Sequence, residues 1–274
     1  MIDIHTHPCS LRDKEAYRSF ETSGRVPARV LTPYLEHIRS VDRAVVLALW
    51  APSSGIEASN EFVAAVVQHA PSKLVGFASV NPGDPGAIPQ LQRAVRDLGL
   101  RGLKLGPIYQ RFAPDDSELW PFYERVRELR IPIMWHQGAS FLMPDGSLPD
   151  ARPILLDRVA SAFPEIGMVI AHFGYPWSSD VVALLRKHPN LYTDISALYD
   201  RPWFLYNALV SAIEYGVQDK VLFGTDYPGI TPGETASAIR RLIDLTRGTG
   251  LPRVPKPVIE GIVERDSLQV LGIV

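Results

Sequence analysis

The sequence predicts an α/β fold, a (β/α)8 TIM barrel, and three observations predict it. Short apolar runs rich in β-branched residues recur eight times along 274 residues. Amphipathic stretches separate them, the alternation expected of a parallel sheet covered by helices. Histidine or aspartate ends several of the runs, at the rim where such a barrel builds its site.

The runs begin near Ile2, Arg43, Leu74, Gly102, Ile131, Met168, Leu191 and Val221. Each is too short for a typical buried helix and is bounded by turn residues. Between them, Ile88, Leu91, Val95 and Leu98 follow the spacing of one helix face. Phe122, Val126 and Leu129 do the same after Pro121, a residue suited to a first helical turn. Thr231-Pro232-Gly233-Glu234 reads as a capping box opening a helix with Ile239, Leu242 and Ile243. An open doubly wound sheet is the alternative. Eight units in a length close to the roughly 250 residues of one barrel favour closure. The expectation is one domain over residues 1–274.

Composition narrows the function classes. The chain is 46% hydrophobic, enough for a sizeable core, with a formal net charge of -2. No long basic run marks a nucleic-acid binder. No segment approaches the roughly 20 apolar residues that span a bilayer. Met-Ile-Asp-Ile-His does not read as a signal peptide. Cys9 is the sole cysteine, so no intrachain disulfide forms, and the reading is cytoplasmic. The expected partner is a small-molecule substrate, with a homodimer left open.

The polar residues at the strand ends carry the functional argument. Side chains two apart on a strand share a face, so His5 and His7 can chelate one cation. In a parallel barrel, His136, His172 and Asp226 converge on that pair from distant sequence positions. Three imidazoles and a carboxylate suit zinc, with manganese as a substitute. A lone histidine is usually structural, and His37, His69 and His188 in helical segments are read so. Five metal-competent side chains on four strand ends are hard to explain as packing, because burying them unpaired costs free energy.

These residues lie in segments that resemble the amidohydrolase superfamily, in its amidohydrolase-related branch with aminocarboxymuconate-semialdehyde decarboxylase-like enzymes and lactonases. The segments are IDIHTHP, FASVNP, GLKLGPIYQRF, IPIMWHQG, VIAHFGYPW, HPNLYTDIS and LFGTDYP, in order along nearly the whole chain. The resemblance implies one divalent metal on His5, His7, His136 and Asp226, with His172 as an acid/base beside it. It also implies an alternative in which carboxylated Lys104 bridges two metals, though GPIYQRF points to the mononuclear type. TatD-like nucleases, with glutamate where Lys104 stands, and PHP-type phosphoesterases fit less well.

The expected reaction is hydrolysis of a small amide, lactone or ester. A bound cation lowers the pKa of water from about 15.7 to about 7, and Asp226 takes the proton while His172 orients the water. Metal-dependent non-oxidative decarboxylation of a small aromatic or unsaturated acid is the alternative. A metal-dependent binding protein without catalysis is a third reading. Trp50, Lys104, Tyr109, Arg111 and Tyr175 are the expected substrate contacts. Arg111 is read equally as an ion-pair partner of Asp115 or Asp116, and residues 8–27 equally as a lid or a surface loop. Asp194 is expected to support a ligand histidine, and Cys9 to be inert.

Overall fold

The computed structural model describes residues 1–143 and 146–273. Among the described residues ten strands appear: β1 (Ile2–Thr6), β2 (Arg43–Leu47), β3 (Leu49–Ala51), β4 (Ile56–Ala58), β5 (Leu74–Ala78), β6 (Gly102–Leu105), β7 (Ile133–Trp135), β8 (Met168–Ile170), β9 (Leu191–Asp194) and β10 (Val221–Leu222). Eight of them form one sheet in the order β1-β2-β5-β6-β7-β8-β9-β10. Every neighbouring pair in it is parallel. Ile4 N donates to Phe223 O (3.1 Å), Asp226 N to His5 O (2.8 Å) and His7 N to Tyr227 O (3.0 Å). These bonds bring the last strand back to the first, and the sheet becomes the predicted (β/α)8 barrel.

Side chains alternate between two apolar compartments. Ile2, Ile4, Val45, Leu47, Val75, Phe77, Met134, Val169 and Leu222 fill the barrel interior. Val46, Leu103, Ile133, Trp135 and Ile170 point outward beneath the helices. Each such buried side chain stabilises the fold by about 1.5–3 kcal/mol. Leu268, Leu271 and Ile273 near the C-terminus join the interior cluster and stopper one end of the barrel. Gly102 makes room inside: a Cβ there would sit 2.5 Å from the Phe77 ring.

One irregularity matters for function. Asp3 pairs with Ala44 and Thr6 with Val46, so β1 spends three steps where β2 spends two. This bulge resets the alternation. Ile4 lies in the interior cluster, yet the next residue, His5, also turns toward the barrel axis and His7 follows it. Thr6 meanwhile faces the helix Ala28–His37, bonding Tyr34 Oη at 2.7 Å.

The elements depart from expectation in identifiable places. The fifth barrel strand begins at Ile133, two residues late, because Ile131-Pro132 forms the approach to it. The helix carrying Ile88 ends at Arg96, before Leu98. Thr231 and Glu234 do form the capping box of the helix Pro232–Arg240. The β3–β4 hairpin interrupts the second β/α unit. Within residues 8–27, the helix Lys14–Ser23 docks Tyr17 and Phe20 edge-on against Phe62 (5.2 and 5.3 Å), on the barrel wall. On its approach, Leu11 reaches the strand ends that carry His5 and His7. Among the described residues, no helix is long and apolar enough to cross a membrane.

Candidate active site

The C-terminal ends of the barrel strands enclose two connected chambers. The inner one, about 60 Å³, is lined by His5, His7, Lys104, His136, His172 and Asp226, with Leu11, Leu49, Tyr109 and Leu142. The outer one, about 230 Å³, shares Tyr109, His136, Leu142, His172 and Asp226 and opens past Phe141, Tyr175, Leu198 and Arg201. The predicted convergence of His5, His7, His136, His172 and Asp226 is therefore what the fold produces.

Among the described residues two groups have ligand atoms within 4.8 Å of one another: His5, His7 and Asp226, which face the inner chamber, and His5, His172 and Asp194. Asp226 Oδ1 is 3.4 Å from His5 Nε2 and 3.6 Å from His7 Nε2. The outer nitrogens are tied back. His7 Nδ1 is 3.2 Å from Leu47 O, and His5 Nδ1 is 2.9 Å from Asp194 Oδ2. A carbonyl or carboxylate accepts only, so each Nδ1 carries a proton and each neutral ring offers a bare Nε2 to the chamber. Burial favours the neutral rings: His7 is held down to about 4, and His5 and His136 fall well below the ordinary imidazole value. Asp226, at φ 64, has its carboxyl pKa raised by desolvation.

His172 sits opposite in a left-handed turn (φ 56), followed by Phe173 (φ 51). Non-glycine residues rarely hold that conformation, and the cost is borne where surrounding bonds over-determine it. Here Asp194 Oδ1 accepts His172 N at 2.8 Å. His172 Nδ1 faces Ser196 O at 3.0 Å, which again protonates Nδ1 and leaves Nε2 bare. Burial lowers this imidazole to about 4. Its ring lies 4.8 Å from that of His5 and 5.1 Å from that of His136. His136 Nε2 is 3.3 Å from Tyr109 Oη, which also contacts Ser140 Oγ at 2.8 Å.

Lys104 is fully buried with Nζ 3.3 Å from His5 Nε2. Desolvation lowers its pKa to about 8, against the pull of Asp226 and Asp194. Asp194 supports His5 as expected. Asn81 is a turn residue, with Nδ2 donating to Asp84 Oδ1 (3.1 Å) and Gln110 O (3.3 Å). Cys9 is buried beside Tyr17 Oη (3.7 Å), and burial pushes its thiol up to about 11.

Two expected substrate contacts lie elsewhere. Trp50 belongs to β3 and borders a separate cavity with Ser59, Asn60, Ser79 and Arg93, because the hairpin carries its indole off the barrel axis. Arg111 is exposed at the left-handed end (φ 60) of the short helix Pro107–Gln110 and lines neither chamber. That helix instead turns Tyr109 inward. Lys104, Tyr109 and Tyr175 do line the chambers. The sequence reading missed Arg201, whose guanidinium lies over Tyr175 (5.2 Å) and Phe141 (5.7 Å) at the mouth. Its position just after a strand-end Asp-x-Ser was the available signal. Ser196, on the same face as Asp194, was assigned no role.

A parallel barrel with imidazoles and a carboxylate gathered at its C-terminal rim defines a class, the barrel enzymes that work through a bound cation. The chain belongs to the Amidohydrolase family, whose sequence profile matches residues 2–253. Among curated relatives it is 23% identical to a 2-amino-3-carboxymuconate-6-semialdehyde decarboxylase from Dictyostelium discoideum, covering 74% of this chain and 67% of the relative. It is 27% identical to a 2-keto-4-carboxy-3-hexenedioate hydratase from Sphingobium sp., covering 65% and 59%. The chain thus spans about six tenths to two thirds of the length of these relatives. Among solved structures, an uncharacterised TIM-barrel protein from Bordetella bronchiseptica superposes with TM-score 0.73 at 24% identity, covering 100% and 98%. A probable 2-pyrone-4,6-dicarboxylic acid hydrolase from Acinetobacter baumannii gives 0.70 at 18%, covering 99% and 98%. A dihydroxybenzoic acid decarboxylase from Polaromonas sp., with bound manganese and 2-nitroresorcinol, gives 0.64 at 17%, covering 99% and 96%.

Proposed function

We propose that this chain is a metal-dependent hydrolase acting on a small lactone, ester or amide. The carrying observation is His172: its Nδ1–H is committed to Ser196 O, so a bare Nε2 faces the chambers at neutral pH. That atom is a proton acceptor, which attack by water requires.

The donor set fits one divalent transition cation. His5, His7 and Asp226 would hold it, each imidazole through an Nε2 whose opposite nitrogen is already anchored. His136 lines the same chamber and completes the proposed set, and zinc or manganese suits such donors. A cation there would polarise a substrate carbonyl and acidify water. His172 Nε2 takes a proton from the water as its oxygen bonds to the carbonyl carbon. The same proton then passes to the leaving oxygen or nitrogen as the scissile bond breaks. Asp226, with Oδ1 aimed at the imidazole pair, orients rather than receives, a change of emphasis from the sequence reading. Lys104, Tyr109 and Tyr175 bind substrate, and Arg201 at the mouth takes the place expected for Arg111.

A second reading, non-oxidative decarboxylation, has its own observation. Ala139, Phe141, Leu142, Ala197 and Leu198 make an apolar wall beside the cluster, a surround that disfavours a bound carboxylate relative to departing CO2. The raised pKa of Asp226 suits it to protonating carbon. The Dictyostelium relative and the manganese-bound neighbour are decarboxylases, which lends this reading equal support.

The test is a panel of lactones, esters, amides and carboxylated aromatic or unsaturated acids, run with zinc or manganese in H2(18)O. Incorporation of (18)O into product, abolished in His172→Gln, supports hydrolysis. Release of CO2 without (18)O in the organic product replaces it with the decarboxylase reading.

A further inference from the structure

One hydroxyl stands between two histidines that the proposed reaction uses for different tasks. Ser196 Oγ lies 3.0 Å from His5 Nδ1 and 2.8 Å from His172 Nδ1. The same oxygen lies 2.5 Å from Asp194 Oδ1. A hydroxyl has one proton to give and two lone pairs to fill. The carboxylate can only accept, so the Ser196 proton goes to Asp194. The lone pairs then face the two imidazoles, and each must bring an N–H. Asp194 Oδ2 (to His5, 2.9 Å) and Ser196 O (to His172, 3.0 Å) impose the same condition from the other side. Asp194 Oδ1 also accepts the main-chain N–H of His172 (2.8 Å) and of Ser196 (3.0 Å), holding the turn that presents His172. Asp194 and Ser196 are both fully buried.

We infer that Ser196, its proton committed to Asp194, is a positioning residue that fixes the tautomers of His5 and His172 together. One oxygen atom thus accepts from both Nδ1–H groups, beside Asp194 Oδ2 and Ser196 O, and links the ligand ring of His5 to the proton-accepting ring of His172. The inference rests on the proposed roles of these histidines, but its test does not need a substrate.

The test is the imidazole (15)N–(1)H long-range correlation spectrum of protein labelled with (15)N-histidine, metal-free and with zinc chloride, assigned through His5→Gln and His172→Gln. The expected wild-type result is the Nδ1–H pattern for both rings. In Ser196→Ala the Nδ1 signals of both rings shift together as each loses one of its two acceptors, while Asp194 Oδ2 and the main-chain oxygen of residue 196 still hold the protons. Zinc affinity by chelator competition falls about tenfold, as for other supporting bonds behind metal ligands. His172→Gln alters zinc affinity when Ser196 is present and leaves it unchanged in the Ser196→Ala background. A wild-type spectrum with either ring protonated at Nε2 overturns the inference, whether or not the variant folds. A folded Ser196→Ala with unaltered spectrum and zinc affinity also overturns it and leaves the hydroxyl as filler. Failure of the ligand assignment itself would show separately, as unchanged zinc content after replacing His5 and His7 by alanine.

Discussion

Gly224 lies just past β10, two residues before Asp226, and Gly224→Ala probes how closely the site is packed. A Cβ there would sit 3.0 Å from His5 Cβ and 3.3 Å from Ser196 Cβ. Carbon atoms settle at about 3.5–4.0 Å, so the neighbours must yield by about half an ångström. Both are the first atoms of their side chains, and no rotamer change moves them. The backbone of β1 or of the turn after β9 must shift instead. Overpacking of this kind costs about 1–3 kcal/mol. For a domain of this size each kcal/mol is about 2–4 °C in Tm. Productive ligand geometry tolerates displacements of only about 0.5 Å, so zinc affinity should fall about tenfold or more. Gly102→Ala is the control, because its Cβ would strike the Phe77 ring at 2.5 Å inside the barrel, away from the cluster. It should lower Tm by several degrees and leave zinc affinity within about twofold. Thermal melts of the metal-free proteins and chelator competition measure both effects. Wild-type zinc affinity in a Gly224→Ala protein that is destabilised like Gly102→Ala would refute the reasoning.

Three further outcomes are expected. His172→Gln should cut turnover about 10²–10⁴-fold at saturating zinc, and loss of zinc binding as complete as in the His5/His7 double alanine variant would instead place His172 among the ligands. Metal-free protein should lose stability as pH falls from about 6.5, the ordinary imidazole value, toward about 4, where His7 and His172 titrate in the fold. The unfolded chain takes up protons there that the native rings refuse, so stability rises with pH across that window. Urea midpoints at several pH values should show the slope, and a slope undiminished in His172→Gln would speak against it. Cys9, pushed up to about 11, holds only about a thousandth of its thiol as thiolate at pH 8. It should react slowly with iodoacetamide until urea unfolds the chain, and rapid alkylation of native protein would contradict its burial.

Much of the barrel could be read from the chain because its strands are short, β-branched and bounded by turns. Seven of the eight barrel strands begin where the apolar runs begin, from Ile2 to Val221. The histidines were legible for the same reason, since a strand end fixes its place on the rim. Less local features were not. The bulge in β1 depends on register with β2, which no property of Asp3-Ile4-His5 announces. The hairpin that removes Trp50 consists of two three-residue strands, too short for a period-two pattern to stand out. Arg111 and Arg201 both follow strand ends. Which one reaches the chamber is decided by the turn Pro107–Gln110 and by the rings of Phe141 and Tyr175. Ser196 acquires its role through Asp194 two residues before it and through two histidines 24 and 191 residues off in sequence.

The bonds that unite β1 with the last strand have a consequence for assembly. Three main-chain bonds hold this seam, together with buried Asp3, which accepts Thr225 N (3.0 Å) and Thr225 Oγ1 (2.7 Å) across 222 residues of sequence. His5 and His7 stand on one side of it and Asp226 on the other. A cation shared by them would act as a rivet, binding the zipped cylinder and not a chain still open along that line. By mass action, loading would then tighten the seam before any other part of the molecule. Amide exchange at Ile4, His7 and Asp226 should slow first when metal is added. A nascent chain would gain its cation only after the eighth strand has emerged, making occupancy a late checkpoint on correct folding.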